Sequence, residues 1–135
     1  MRFGAVLVVL ALMFLAVPSV VVAEEVTLSD TQYVPLKPGF VTNYGGPGRL
    51  KYVRVDMTLM VDGVSSQNVV QQQLPLVRNA IVMNLARQSE NNVVTPNGQE
   101  RIRQQLLQTL NEALTLEVGQ PLIVEVLFTN FIYQN

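Results

Sequence analysis

Residues 49–62 read Arg-Leu-Lys-Tyr-Val-Arg-Val-Asp-Met-Thr-Leu-Met-Val-Asp, and this run decides the fold class. Val53, Val55, Met57, Leu59 and Val61 share one parity, while Tyr52, Arg54, Asp56, Thr58 and Met60 share the other. Successive side chains of a strand point to opposite faces, so this sustained alternation predicts a long strand with one face on a core. Asp62-Gly63 ends it. Just upstream, Tyr44-Gly45-Gly46-Pro47-Gly48 is the strongest turn signal in the chain and reads as a hairpin turn. Before that turn, Tyr33 to Asn43 carries Pro35 and Pro38, which supply no ladder donors, so an edge strand or extended segment is expected.

Downstream the period lengthens. From Ser66 onward Val70, Leu74, Val77, Ile81 and Leu85 fall at helical spacing, with Val69, Leu76, Ala80 and Met83 widening the stripe. Pro75 lacks an amide and crowds the preceding turn, so a kink or two short helices are expected there, closing at Asn91-Asn92. Thr95-Pro96 reads as an N-cap followed by proline in the first helical turn. The helix after it, about 97–116, sets Ile102, Leu106, Leu110, Ala113 and Leu114 on one face, with Arg101, Arg103, Gln104, Gln108 and Glu112 on the other. Gly119-Gln120-Pro121 is its stop. The final run, Leu122 to Tyr133, is rich in β-branched and aromatic residues and apolar at most positions, which predicts a central strand. The expected architecture is α+β, a small antiparallel or mixed sheet with helices packed on one face.

The chain has 135 residues, enough for one domain, with charged residues at only 14%. Phe3 to Ala23 carries no charge and follows Met1-Arg2, while Pro18-Ser19 and Val21-Val22-Ala23 precede Glu24-Glu25. Two readings stay open for residues 1–23: a signal peptide cut after Ala23, or a retained anchor about as long as a bilayer core requires. Both place the domain beyond the cytoplasmic membrane. Residues 24–32 are polar and read as a weakly ordered lead-in to a domain over 33–135. A formal net charge of −1 with no clustered Lys or Arg gives no footprint for nucleic acid. Cysteine is absent, so no disulfide staples the fold.

Catalytic machinery is hard to assemble from these residues. The chain has neither His nor Cys, the commonest proton shuttle and metal ligands. Asp56 with Glu125 is the candidate carboxylate pair for sugar hydrolysis, and the plainer reading has each facing an Arg or Lys across a ladder. Gly45 to Gly48 lacks the lysine and helix of a phosphate loop. Arg78 sits beside Val77 among apolar positions, either laying its stem on the core or reaching a partner. Phe128, Phe131 and Tyr133 read as core aromatics rather than a peptide groove.

Several stretches, taken in order, resemble the FliL family of flagellar basal-body-associated proteins. Tyr33-Val34-Pro35-Leu36 with Phe40-Val41-Thr42-Asn43 is similar to its opening segment, and Leu74-Pro75-Leu76-Val77-Arg78-Asn79-Ala80-Ile81 to its Pro–x–x–Arg helix. Thr95-Pro96-Asn97-Gly98-Gln99-Glu100-Arg101 resembles its Thr–x–x–Gly–x–Glu helix start, and Leu110-Asn111 with Val126 to Gln134 completes the set. The resemblance implies a stomatin-like (SPFH-like) domain on the periplasmic side of the inner membrane. It implies a homo-oligomer, as a ring, that supports the ion-driven stator so that torque is kept under load, with no enzymatic role and no cofactor. The interface candidates it suggests are Arg78, Glu100 and Arg101. The N-terminus departs from the family, which carries a basic cytoplasmic tail and a retained helix. That departure leaves a soluble periplasmic paralogue open, and a separate rival reading is a periplasmic module that binds peptidoglycan or a peptide by strand addition at the edge Tyr33–Asn43.

Overall fold

The computed structural model describes residues 30–134. The segment 1–23, read as signal peptide or anchor, and the lead-in as far as residue 29 lie outside the described residues. Strand β1 (Thr31–Tyr44) and strand β2 (Lys51–Asp62) form a hairpin; four helices follow, α1 (Gly63–Gln72), α2 (Leu74–Ala86), α3 (Glu90–Val94) and α4 (Pro96–Val118); strand β3 (Ile123–Gln134) returns to the sheet. The sheet is antiparallel throughout in the order β1-β2-β3.

The alternation in residues 49–62 appears as expected. Val53, Val55, Met57, Leu59 and Val61 are all buried, whereas Tyr52 is exposed at 43%. β1 adds Val34, Leu36, Phe40 and Tyr44 to the same inner face. It keeps that parity although Lys37, Pro38 and Gly39 leave the ladder between Leu36 and Phe40. Val70, Val77, Ile81 and Leu85 from α1 and α2 close over this face, with Ile102, Leu106, Leu110 and Leu114 from α4. Full burial of a Leu or Ile side chain is worth about 1.5–3 kcal/mol relative to exposure, so this interlayer supplies most of the folding force. The opposite face of the sheet stays open, with Val41, Tyr52 and Ile132 exposed.

Pro75 does separate two helices, and it sits in the first turn of α2, where its missing amide costs nothing. Other expectations need correction. β2, not β3, is the central strand; β3 lies at an edge. Its apolar run deceived because β-bulges leave Thr129 and Val124 without partners on β2, shifting inward residues between parities. Tyr133, expected in the core, is 40% exposed, while Phe128 and Phe131 pack against the core with their ring centroids 5.5 Å apart. β1 begins at Thr31, inside the stretch read as lead-in. Helix α3 was not anticipated at all.

Candidate partner-binding surface

The motif Thr95-x-x-Gly98-x-Glu100 builds a corner between α3 and α4. Thr95 Oγ1 accepts from the Gly98 amide at 3.0 Å and donates to the Asn91 carbonyl at 2.7 Å, so one hydroxyl ends α3 and starts α4. Gly98 is buried against α3, and a Cβ there would stand 2.4 Å from both Asn92 Cα and the Asn92 carbonyl oxygen. Only glycine permits that approach. Gln99 Nε2 donates to the Val93 carbonyl, and Arg101 donates from Nε and Nη2 to Asn92 Oδ1 at 3.2 and 2.9 Å. α4 then runs about 34 Å at 1.5 Å per residue and stops at Gly119, whose φ of 83° is the left-handed cap that glycine adopts without strain.

Gln88 is a buried polar hub between the same elements. Its Nε2 donates to Asn84 Oδ1 at 2.9 Å and to Gln105 Oε1 at 3.0 Å, while its Oε1 accepts from Asn92 Nδ2 at 3.2 Å. Its carbonyl accepts from the Gly45 amide at 3.0 Å, tying α2 and α4 to the β1–β2 turn. Lys51 and Glu90 add an ion pair at 2.5 Å between β2 and α3. Tyr44 donates its phenol to the Gln134 carbonyl at 3.3 Å. Burial, reinforced by Glu90, raises the Tyr44 pKa and keeps the group protonated as a donor. At the other end of β3, Asn111 holds both backbone groups of Ile123, donating at 2.8 Å and accepting at 2.9 Å.

The three interface candidates occupy two places. Glu100 and Arg101 are adjacent and exposed near the start of α4. Glu100 pairs with Arg103, whose hydrogen bond holds the Glu100 carboxyl below its ordinary range and raises the guanidinium in turn. Arg78 lies instead on α2, half-buried, its guanidinium carbon 4.3 Å from the centroid of the Phe40 ring. One of its nitrogens, Nη1, is buried without a hydrogen-bond partner among the described residues.

Asp56 and Glu125 do not form a pair. The register sets Asp56 opposite Asn130 and Glu125 opposite Met60, four positions further along β2. Arg54 lies 3.7 Å from Asp56, and Arg103 takes Glu125, so each carboxylate meets an arginine, though not the cross-ladder one expected. Among the described residues no group of three or more Asp or Glu could hold a metal ion. No described helix is long and apolar enough to cross a membrane. Sequence reasoning passed over Gln88, Asn92 and Tyr44, which tie elements together, and singled out Arg101 without its partner.

A small α+β domain remains, whose polar groups mainly brace its own elements and whose open sheet face and helix ends are available to other molecules. The chain matches the family model "Flagellar basal body-associated protein FliL" over residues 33–134, and it belongs to the FliL family. It is 31% identical over 99 residues to the Flagellar protein FliL of Aquifex aeolicus (strain VF5), a match covering 73% of this chain. The chain spans 59% of that relative's length.

Proposed function

We propose that this chain is a flagellar basal-body accessory that associates with copies of itself and supports the ion-driven stator, so that torque is kept under load. The family match supports this reading, because residues 33–134 are nearly coextensive with the described domain. The match thus reaches the helix corner and the closing strand alike, and does not rest on one local motif. In this reading the domain works by steric support on the periplasmic side of the inner membrane, in the manner implied for stomatin-type scaffolds. Exposed Glu100 and Arg101, and Arg78 with its unfilled donor, are the residues assigned to contacts with copies or partners.

The test is swimming speed and motor torque of a strain lacking this chain, in plain and in viscous medium. A deficit that deepens with viscosity is expected. Unchanged motility at every load would remove the stator from the account. In purified full-length protein, Arg78→Glu is expected to weaken concentration-dependent association while helix content is kept.

A further inference from the structure

The two ends of the domain carry opposite charge. α4 runs back along β3, since Asn111 grips Ile123 while Pro96 and Gln99 lie beside Val126 and Phe128. The end of α4 therefore shares one pole with the start of β3, the end of β2 and the start of α1, where Ser65 and Val69 line a cleft with Val118 and Gln120. Asp30, Asp62, Glu112 and Glu117 stand at that pole, all exposed. The sequence of elements there carries no Lys or Arg.

Every other described acid is matched inside the fold: Asp56 by Arg54, Glu90 by Lys51, and Glu100 and Glu125 by Arg103. None of the four polar acids takes part in an ion pair among the described residues. The opposite pole, around the β1–β2 turn, holds exposed Arg49, Arg54, Arg87 and Arg101 with Lys51, against Asp56 and Glu90. Gly45 to Gln88 and Lys51 to Glu90 fix these elements together there.

The arrangement also runs against the helix. The last turn of α4 contains Glu117 and no basic residue, although a helix C-terminus favours cations. Local stability does not account for acids at that position, whereas an intermolecular field does, because the helix dipole then adds to the charge separation. Each pole also presents a bare apolar side chain, Leu116 at 90% exposure beside Glu112 and Glu117, and Leu50 at 63% beside Arg49 and Lys51. An apolar centre ringed by charge is the usual anatomy of a protein contact.

The geometry points to a head-to-tail contact between copies, in which the acidic pole around Leu116 seats on the basic pole around Leu50 of the next molecule. This deepens the self-association proposed above and rests on it. The occupant is a second copy because both halves of the complementary pair are present on one chain. Such a contact is heterologous, so it propagates into a ring or a filament and does not stop at a symmetric dimer.

The test uses the full-length chain in neutral detergent, followed by sedimentation. Glu112→Lys/Glu117→Lys cancels the acidic pole, setting two lysines against Asp30 and Asp62, and Arg49→Glu/Arg87→Glu cancels the basic one in the same way. Each variant alone is expected to need at least about tenfold more protein to associate, and an equimolar mixture of the two to form one-to-one pairs through the one intact acidic pole and the one intact basic pole. Wild-type assembly is also expected to weaken as salt rises from about 0.05 M to about 0.5 M. Because the chain has no cysteine, Leu116→Cys and Leu50→Cys can be introduced cleanly. Head-to-tail packing cross-links a mixture of the two, while disulfide dimers of Leu116→Cys alone would overturn it. Assembly of both double variants at the wild-type concentration would overturn this contact and leave self-association intact. A wild-type chain monomeric at all concentrations would overturn both. Circular dichroism of each variant confirms that folding is kept.

Discussion

The two ends of this domain are built on opposite plans. Around the β1–β2 turn, short polar groups cross from element to element: Gln88 joins α2, α3 and α4, Thr95 joins α3 to α4, and Lys51 meets Glu90. Around the end of α4, the charged side chains face outward and comparable bonds across elements are fewer, Asn111 with Ile123 and Gln67 with the Tyr33 carbonyl. The first end shows how a fold without disulfides is knitted by buried amides. The second shows surface not committed to the fold, which is what a binding surface requires.

Substitutions at the knitted end should therefore cost stability and those at the other should not. Gly98→Val is expected to cost the most, about 3 kcal/mol in urea denaturation, because its Cβ meets α3 backbone that cannot yield cheaply. Gln88→Leu should cost about 2 kcal/mol by stranding the half-buried amides of Asn84 and Asn92, a loss visible as a lower denaturation midpoint at unchanged slope. Thr95→Ala removes one cap and should cost about 1 kcal/mol. Glu117→Lys, at the other end, should raise stability by about 0.5 kcal/mol through the helix dipole while weakening association. A destabilised Glu117→Lys would break the comparison.

The smallest effect concerns pH. The Glu100 carboxyl is held below its ordinary range by Arg103, so its contribution is present above the unfolded-state value and fades as acid protonates the folded group. Glu100→Gln should therefore lower stability slightly at neutral pH and flatten the acid limb, its difference from the native chain vanishing below the ordinary glutamate range.

The parts legible in the sequence were those with one clean period. β2 alternates without interruption and α4 keeps its stripe, so strand, helix and covered face all followed from them. The place of β3 was hidden because its two bulges break the parity on which the reading depends. Helix α3 is a single turn and a half, too short to show a period, and only Ser89 capping Asn92 marks its start. The hub was hidden for a different reason: a glutamine reads as surface, and nothing local says that Gln88 is only 6% exposed. Of the interface candidates, Glu100 and Arg101 proved exposed, but the charge polarity to which Arg101 belongs became visible only once the chain was folded.

The central position of β2 sets an order of events during synthesis. Its first neighbour, β1, precedes it across a short turn, but the second arrives only after four helices have been made. Until then the middle of the sheet presents an unpaired edge of alternating Val, Met and Leu, the kind of template that recruits strands from other chains. The helices can cover the inner face in that interval, yet they cannot satisfy the edge. A nascent chain is thus at its most aggregation-prone just before its last strand docks, and any factor that escorts it has that one ladder to shield.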